Sequence, residues 1–304
     1  MSQECTMAKP FLKWAGGKRQ LIKEISSRFP SDLQDHSTYI EPFVGGGAVL
    51  FHVLEMKNFE NVHIFDINPE LTLCYEILKT SAPKVWSKLK SMIKKYPAHD
   101  SEERSKEYYS IRKSWNKGVS KINLMSETKK IQRVAQTIFL NKTCFNGLFR
   151  VNKKGEFNVP IGSYKNPSFP SKQELLEVQT ALENVIIHLG SFEQCEGFVD
   201  ENTFLYFDPP YRPLSETSHF VSYSKGQFDD EDQKKLAQFI QDVDEKDAKF
   251  ILSNSDPKNT VEDDDFFDDL YSEFSINRVF CNRAINSKAK KRGPVTELLI
   301  GNCW

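Results

Sequence analysis

Apolar and polar residues alternate along two stretches of the chain in the manner of strands and helices that follow one another. In the first stretch, the β-prone apolar runs at residues 39–44 and 61–67 are predicted strands, since each ends near Gly, Asp or Pro. Residues 48–55 and 69–79 have the spacing of amphipathic helices. This order of strand, helix, strand and helix predicts a parallel sheet of the α/β class.

The second stretch begins near Val185 and repeats this pattern. Its clearest helix is predicted at residues 229–243, where apolar positions recur with helical spacing. Residues 278–280 and 296–302 are predicted to form an antiparallel pair. The predicted strands are residues 184–190, 203–207, 249–255 and 274–280.

A segment of different composition, residues 82–166, separates the two stretches and is rich in Lys, Ser, Asn and aromatic residues. Residues 129–141 within it have helical periodicity. Farther on, two β-prone runs flank Lys153-Lys154-Gly155, which predicts a β-hairpin with glycine in the turn. We therefore predict an inserted, mainly helical domain that carries this hairpin. The predicted domains are residues 1–80 together with 165–304, and residues 81–164.

The composition is that of a soluble globular protein, with 304 residues of which 39% are hydrophobic and 27% charged. No apolar run is long enough to cross a bilayer, and the first residues lack a secretory signal pattern, so we expect a cytoplasmic protein. The six cysteines lie far apart and are expected to be reduced thiols. The six histidines have no ligand spacing, so no metal is expected.

The charge distribution bears on a nucleic-acid partner only locally, because the formal net charge is −1. Lys and Arg concentrate at residues 13–19, 142–154 and 288–292, and acidic residues at 229–232 and 262–269. If these segments face opposite ways, a nearly neutral protein presents one positive face. The acidic segment 262–269 has no evident function and is expected to be a solvated helix surface away from any nucleic-acid partner.

An acid, two prolines and a tyrosine, Asp208 to Tyr211, follow directly after the predicted strand at residues 203–207. Proline has no N–H and cannot continue a strand ladder, so backbone carbonyls here are left for a ligand. A rigid loop at the end of a strand explains the motif equally well when it is taken alone.

A second motif joins a predicted strand to a predicted helix through Gly45, Gly46 and Gly47. Glycines let the backbone approach a ligand where open α/β sheets bind ligands, which indicates a nucleotide-like cofactor. Leu50 excludes the dinucleotide fingerprint, and no GK[ST] follows to make a P-loop. Asp66 ends the next strand, where an acid accepts hydrogen bonds from ribose hydroxyls. An ordinary glycine-rich turn is the alternative.

A third motif precedes a helical pattern near the N-terminus and contains Lys13, Trp14, Gly16, Gly17 and Lys18. A lysine and two glycines at a helix start can bind a carboxylate, and a tryptophan can pack on an adenine ring. A capped first helix with a core tryptophan is the alternative.

Five segments of the chain, taken in order, resemble the Dam-type adenine-N6 DNA methyltransferases, whose relatives include methylases of some restriction systems. The segments are FLKWAGGK (11–18), YIEPFVGGGAV (39–49), FDIN (65–68), FNGLFRVNKKGEFNVP (145–160) and FDPPYRPLSETSHF (207–220). The resemblance covers nearly the whole chain, and the order of motifs is that of the family's α group. It implies a Rossmann-like S-adenosylmethionine-dependent methyltransferase domain, with the inserted segment as the DNA target-recognition domain.

The resemblance also implies the reaction, which is methyl transfer from S-adenosylmethionine to adenine N6 in double-stranded DNA after the base is flipped out. Asp208 and the Pro209 carbonyl would accept the N6 hydrogens, and Tyr211 would stack on the ring, with Pro210 completing the catalytic motif. The implied cofactor contacts are Trp14, Ala15, Gly16, Lys18, Phe43, Gly45, Gly47, Asp66, Ile67 and Asp208. The implied DNA contacts are Lys13, Phe145, Asn146, Leu148, Arg150, Asn152 and Pro160.

The target sequence implied by the resemblance is GATC. Lys13 resembles the lysine that contacts the first guanine, and Arg150 the arginine that reads the guanine opposite the final cytosine. Leu148 and Pro160 resemble the pair that touches the thymine methyl group. Lysine and arginine donate to guanine, and apolar side chains suit the thymine methyl, so the chemistry agrees. Contact with phosphate is the alternative for Arg150.

Other reactions stay open on the sequence. An N4-cytosine or protein-glutamine methyltransferase uses related acid-Pro-Pro-Tyr motifs, although segment 145–160 favours a DNA enzyme. A DNA-binding relative without catalysis is a further alternative, which the intact Asp208–Tyr211 motif disfavours. A cytosine-C5 enzyme needs a cysteine that follows a proline, and none of the six does. We expect a monomer or weak dimer, in a solitary, phage or restriction setting that the sequence leaves undecided.

Overall fold

A computed structural model describes residues 8–96, 100–212, 228–282 and 294–304. Over these residues the protein is a mixed α/β structure with a seven-stranded, mostly parallel sheet. Its helices are α1 Ile22–Ser26, α2 Ala48–Met56, α3 Pro69–Lys95, α4 Ser101–Asn116, α5 Glu127–Thr143, α6 Lys172–Ala181, α7 Asp230–Asp244 and α8 Phe266–Leu270, with 3-10 helices at Leu33–Asp35, Val119–Leu124, Phe145–Gly147, Phe192–Phe198 and Pro257–Asn259. Its strands are β1 Thr38–Glu41, β2 Asn61–Asp66, β3 Val185–Leu189, β4 Thr203–Phe207, β5 Lys249–Ser255, β6 Ser275–Asn282 and β7 Pro294–Gly301.

The strands and helices predicted from the apolar pattern are confirmed, but β1 ends at Glu41 rather than at residue 44, and α3 is much longer than the predicted helix at residues 69–79. It continues to Lys95 through a kink at Ser81, where φ is −142° and ψ is 27°. Pro83 lies just after the kink, in the first turn of the second half, where its missing N–H costs little. The change of composition near residue 82 therefore coincides with a bend in a helix.

The chain divides into two compact units. The first unit comprises Met1–Gly17, Gly45–Glu55 and Ile67–Leu189, and the second comprises Lys18–Val44, Met56–Asp66 and Gly190–Trp304.

The second unit contains six of the strands, in the order β2-β1-β4-β5-β7-β6. Strands β2, β1, β4 and β5 are parallel, whereas β7 is antiparallel to both β5 and β6, which confirms the prediction for the C-terminal pair. Both β1 and β4 are buried along their whole length, as expected of strands covered on both faces. Strand β2 lies on one side of β1, and β4 lies on the other, so the strand order reverses at β1. Ligands of open α/β sheets bind beyond the carboxyl ends of the strands at such a switch point.

The core of the second unit fixes the strand that leads to Asp208. Leu205 and Phe207 of β4 pack in one buried cluster with Leu236 and Ile240 of α7. Because both faces of β4 are packed, the backbone at its carboxyl end has little freedom to move.

The first unit is mainly helical, and α3 packs against α5 and α6. A buried ion pair joins α3 to α5, because Arg133 Nε donates to Glu70 Oε2 at 2.7 Å. The guanidinium of Arg133 also lies 3.9 Å from the ring centroid of Trp115 and donates to the Trp115 carbonyl at 2.8 Å. Removing either charge would leave the other buried and unpaired, so a substitution at Glu70 or Arg133 should strongly lower the free energy of unfolding.

The predicted hairpin of residues 147–162 is present in the first unit. Gly155 has φ +77°, and its N–H donates to the Asn152 carbonyl at 2.8 Å, so glycine supplies the turn as predicted. Val151 pairs with Phe157 through an isolated antiparallel bridge rather than a long ladder.

The remaining sequence expectations concern membrane segments, thiols and histidines. None of the helices in the described part of the chain is long and apolar enough to cross a membrane. Among the described residues, Cys74, Cys144, Cys195, Cys281 and Cys303 form no disulfide bond, as expected of reduced thiols. Outside the described residues lie Cys5, His99, His219, the basic segment 288–292 and residues 213–220 of the fifth family-like segment.

Candidate active site

Asp208, the first residue after β4, forms an ion pair in the second unit. Its Oδ1 lies 2.9 Å from Lys18 Nζ and accepts a hydrogen bond from Ser253 Oγ at 3.2 Å. The Lys18 side chain is 3% exposed and that of Asp208 is 20% exposed, so the pair is shielded while the carboxylate still reaches the surface. Lysine and glycines before a helix were expected to bind a carboxylate, and here the carboxylate comes from the protein itself.

Burial and the ion pair act in opposite directions on the pKa values of both partners. Burial raises the pKa of Asp208 above its ordinary value, and the nearby Lys18 ammonium and Ser253 hydroxyl limit that rise. Burial alone would lower the pKa of Lys18, but the negative charges of Asp208 and Glu297 raise it above its ordinary value. Lys18 is therefore a permanent cation beside Asp208, and it favours the ionised carboxylate, which is a hydrogen-bond acceptor only.

The loop after Asp208 is fixed by a chain of buried amides. Gln233 Nε2 donates to the Pro210 carbonyl at 3.1 Å, and Asn254 Nδ2 donates to Gln233 Oε1 at 3.2 Å. Gln233 and Asn254 are fully buried, so this chain orients the Pro209–Pro210 backbone from within the core.

Tyr211 is fixed through its hydroxyl, which donates to Glu297 Oε2 at 2.8 Å and also contacts Lys18. The Lys18 ammonium lies 4.5 Å from the Tyr211 ring centroid, within cation–π distance. Burial raises the pKa of Tyr211, and the negative charges of Asp208 and Glu297 raise it further, so the hydroxyl stays a donor. The structure thus brings together Lys18, Asp208 and Tyr211, which the sequence assigned to three separate roles.

Sequence reasoning missed Ser253, Gln233, Asn254 and Glu297, which complete the surroundings of the Asp208–Tyr211 motif. One signal was present for Glu297, because a carboxylate stands within the apolar strand run TELLIG. The amides and the hydroxyl had no such signal, since polar residues near strand and helix ends are common.

Arg212 corrects the expectation for the acidic segment 262–269. Its Nε donates to Asp230 Oδ1 at 2.7 Å and its Nη1 to Asp264 Oδ2 at 2.8 Å. The segment is therefore not simply a solvated surface: Asp264 pairs with the residue that follows Tyr211, and a planar guanidinium between two carboxylates fixes the exit of the loop.

Other acids of this segment are also paired. Lys258 Nζ lies 2.5 Å from Asp265 Oδ1 and 3.2 Å from Asp268 Oδ2. Arg278 Nη2 lies 2.7 Å from Asp268 Oδ2, and its Nε lies 3.0 Å from Asp256 Oδ2. Much of the negative charge is thus balanced by cations brought in from β6 and from the turn after β5.

The glycine turn of the first unit packs against Trp14. A Cβ at Gly45 or at Gly46 would lie 3.1 Å from Trp14 side-chain atoms, so the indole lies directly on the glycine backbone. The Trp14 indole also stacks on the Phe149 ring, with the two ring centroids 5.3 Å apart. Trp14 is half-buried, so it is neither a fully buried core residue nor a free surface residue.

Gly47 is required by both its conformation and its surroundings. Its φ is +73°, and a Cβ there would lie 2.6 Å from Tyr75 Oη. That same hydroxyl donates to the Gly45 carbonyl at 3.0 Å, which fixes the turn.

The other candidate cofactor residues lie at turns and strand ends. Ala15 and Gly16 are exposed in the turn after Trp14, and Ile67 is 64% exposed just after β2. In the second unit, the Asp66 carbonyl accepts a hydrogen bond from the Gly190 N–H at 3.1 Å. The ring centroids of Phe43 and Phe192 lie 5.7 Å apart. Within the described residues no group of His, Cys, Asp and Glu could hold a metal ion.

Asn141, at the end of α5, connects two of the candidate DNA-contacting segments in the first unit. Its Oδ1 accepts from Lys13 N–H at 2.8 Å, and its Nδ2 donates to the carbonyls of Lys13 and Gly147, each at 2.9 Å. Asn141 is 1% exposed, so these bonds are shielded from water. Lys13 is thereby held beside the turn that precedes Leu148.

That turn carries Phe145 and Asn146 at the surface. Phe145 is 52% exposed, and Asn146 has φ +57°, a left-handed conformation that asparagine tolerates. Phe145 N–H donates to the Pro160 carbonyl at 2.9 Å, which brings the turn next to the end of the hairpin. Four of the candidate DNA contacts are therefore neighbours: Phe145, Asn146, Leu148 and Pro160.

Two further candidates lie on the hairpin itself. Arg150 is exposed, and its Nε donates to Asn158 Oδ1 at 2.8 Å. Asn152 uses its side chain within the hairpin, since Oδ1 accepts from the N–H groups of Lys154 and Glu156. Asn152 therefore shapes the turn.

An acid-Pro-Pro-Tyr motif follows a central strand of the mostly parallel sheet, as expected of enzymes that methylate amino groups. The chain belongs to the D12 class N6 adenine-specific DNA methyltransferases, because the model of that family matches residues 14–285. It is an adenine-specific DNA methyltransferase, and the resemblance to the Dam-type enzymes is confirmed.

Relatives of similar length support this membership. The chain is 47% identical over 297 residues to the Type II methyltransferase M.MjaIII of Methanocaldococcus jannaschii, covering 97% of this chain and 99% of that protein. It is 33% identical over 292 residues to the DNA adenine methylase of Haemophilus influenzae, covering 96% and 92%. It is 31% identical over 291 residues to the DNA adenine methylase of Escherichia coli strain K12, covering 96% and 94%.

Proposed function

We propose that this enzyme transfers the methyl group of S-adenosylmethionine to adenine N6 in double-stranded DNA at GATC, after flipping the target adenine out of the helix. The observation that carries the proposal is the Asp208 carboxylate, which lies just beyond β4 and is paired with the buried Lys18 at 2.9 Å. Among the described residues, both of its contacts fall on Oδ1, so Oδ2 is the atom we assign to an N6 hydrogen.

The chemistry of adenine explains why two acceptors are needed. The N6 lone pair is delocalised into the ring, and acceptors on both N6 hydrogens localise it and stabilise the positive charge that develops during transfer. Asp208 supplies one acceptor and the Pro209 carbonyl the other. The Gln233 bond to the Pro210 carbonyl, 3.1 Å long, supports this by fixing the backbone of the loop.

Tyr211 is assigned to stacking on the flipped adenine. Methyl transfer to N6 requires that the base leave the duplex, and an aromatic ring offsets part of the lost stacking. Its hydroxyl is fixed by Glu297 at 2.8 Å, so the long axis of the ring is set before the base arrives.

The cofactor proposal rests on two local features. In the first unit, the half-buried Trp14 lies beside Gly45 and Gly46, and a turn without side chains there suits the approach of an adenine ring to the indole. In the second unit, Asp66 offers an acid at a strand end for ribose hydroxyls, and Lys18 is assigned to the cofactor site through its ion pair with Asp208. When bound, S-adenosylmethionine supplies an electrophilic methyl group on a sulfonium. Ala15, Gly16, Phe43, Gly47, Ile67 and Asp208 complete the proposed contacts.

The target sequence is proposed from the cluster of the first unit. Lys13 and Arg150 are assigned to the two guanines, since cationic donors suit guanine O6 and N7, and Leu148 and Pro160 to the thymine methyl group. The bonds of Asn141 to Lys13 and Gly147, 2.8 to 2.9 Å long, support a shared DNA-contacting surface. Phe145, Asn146 and Asn152 are assigned to the same surface.

The proposed organisation follows from these roles. Residues 81–164 form the target-recognition domain, and residues 1–80 and 165–304 form the Rossmann-like catalytic domain. The name of the Methanocaldococcus relative, a Type II methyltransferase, supports a restriction-modification setting. We further propose that the enzyme acts in the cytoplasm, on DNA, as a monomer or weak dimer.

The test of the proposed function is methyl transfer from labelled S-adenosylmethionine to plasmid DNA. Asp208→Ala is expected to lower turnover by at least roughly 100-fold, because removal of one charge-stabilising group typically costs that much. Asp263→Ala, which removes an exposed carboxylate, is the matched control and should keep wild-type turnover. Substantial turnover by Asp208→Ala at saturating cofactor contradicts the assignment, and methylated adenines concentrated outside GATC contradict the target.

A further inference from the structure

Glu297 occupies an unusual position for a carboxylate. It lies in β7, paired with Ser255 of β5, and the residues that follow it, Leu298, Leu299 and Ile300, are fully buried. Its own side chain is 17% exposed. Burial of a carboxylate lowers the stability of the fold unless cations and hydrogen-bond donors surround it. Packing alone therefore does not explain a glutamate at this position in the strand.

Each oxygen of Glu297 has a partner. Oε2 accepts from the Tyr211 hydroxyl at 2.8 Å and lies 3.5 Å from Lys18 Nζ. Oε1 accepts from Cys281 Sγ at 3.4 Å. Glu297 thus touches two residues of the proposed methyl-transfer site, and it reaches them from β7, on the far side of β5 from Asp208.

We propose that Glu297 is a positioning residue for methyl transfer, which fixes the Tyr211 ring for the flipped adenine and holds the Lys18 ammonium between two carboxylates. The proposal rests on the assignment of Asp208 and Tyr211 to the target base. It adds a residue from β7 to a site otherwise built on the Asp208–Tyr211 loop and the segment before α1.

The geometry gives Glu297 two separable effects. The hydrogen bond to Tyr211 restricts the ring and should be kept by any acceptor at position 297. The negative charge of Glu297 gives Lys18 a second ion-pair partner besides Asp208. It also repels the Asp208 carboxylate and so adds to the rise in the Asp208 pKa that burial causes. A neutral acceptor keeps the first effect and removes the second.

Two variants separate these effects. Glu297→Ala removes both, and we expect the single-turnover rate at saturating DNA and cofactor to fall roughly 10- to 100-fold, since small misplacements of reacting groups cost that much. Glu297→Gln keeps an acceptor for Tyr211, so most of the lost rate should return. Glu201→Gln is the matched control and should behave as wild type, because it removes the same charge from an exposed residue just before the first residue of β4.

The pH profile of Glu297→Gln provides a readout that a purely structural role would not move. The groups that face Asp208 are Lys18, Ser253, Tyr206, Tyr211 and Glu297, and both tyrosines stay neutral because burial raises their pKa values. With the repelling charge of Glu297 removed, the acidic limb of the rate profile should shift to lower pH.

The outcomes are distinct. Wild-type rate and pH profile in both variants overturn the proposal, and so does a Glu297→Gln enzyme that is as slow as Glu297→Ala with an unmoved acidic limb. If Glu297→Ala does not fold, the rate and profile of Glu297→Gln alone decide. Wild-type protein that leaves adenine unmethylated refutes the proposed function instead, because the variants are compared only with an active parent.

Discussion

Replacing Asn141 with alanine tests whether the candidate DNA-contacting surface is fixed from inside the protein. The side chain makes three hydrogen bonds that join Lys13 to Gly147, and it is 1% exposed. A hydrogen bond contributes about 0.5–1.5 kcal/mol, so the loss of all three should lower the free energy of unfolding by roughly 1.5–4.5 kcal/mol. The alanine also leaves the partners of the amide without their bonds in a buried place.

The same change should reduce sequence discrimination. Without the amide, Lys13 and the turn at Phe145–Gly147 lose their common support, so the proposed guanine contact is less well placed. We expect the ratio of methylation rates on GATC and on sites with one changed guanine to fall about tenfold, which corresponds to ~1.4 kcal/mol.

Urea unfolding and rate measurements on short duplexes provide the two quantities. Asn58→Ala, at an exposed position, is the control and should change stability by less than about 0.5 kcal/mol. Asn141→Asp keeps an acceptor for the Lys13 N–H but loses the donor bonds. A variant Asn141→Ala with control-like stability and unchanged discrimination would show that the amide network does not support the surface.

Three other predictions concern single residues. Arg150→Ala should cost about 1–3 kcal/mol at the final base pair and relax preference there, whereas equal weakening on all sequences in a binding competition would identify a phosphate contact. Tyr211→Ala should lower the methylation rate more than binding to unmethylated duplex, as followed by 2-aminopurine emission at the target position, and an unchanged rate and emission would make the ring purely structural. Gly47→Ala should weaken S-adenosylmethionine binding measured by calorimetry, because the methyl group would lie 2.6 Å from Tyr75 Oη at φ +73°, and wild-type affinity would contradict the role of the turn.

Local patterns were sufficient to predict most of the secondary structure. The apolar runs that became β4 and β5 and the amphipathic spacing of α7 depend on neighbours along the chain, so periodicity identifies them. The predicted end of α3 was wrong because Pro83 is tolerated after the kink at Ser81, and a proline in sequence does not show whether it opens or breaks a helix.

Contacts between distant residues were beyond such patterns. Lys18 and Tyr211 are 193 positions apart, and Lys13 and Asn141 are 128 apart. The motifs identified Lys18 and Tyr211 separately, but only the register of β4, β5 and β7 shows that one lysine serves Asp208 and Glu297 together. Asn141 looked like an ordinary polar residue near the end of a helix.

The paired acidic segment has a consequence for the response of this enzyme to salt. A cation releases condensed counterions from DNA only if it reaches phosphate, and the slope of log K against log salt is about −0.9 per phosphate contact. Arg212, Lys258 and Arg278 are already neutralised by aspartates at 2.5 to 3.0 Å. These cations should therefore contribute nothing to that slope, which will instead report on lysines and arginines such as those of residues 142–154. The formal net charge of −1 therefore does not predict how steeply DNA binding falls with salt, because the slope depends on the cations that reach phosphate.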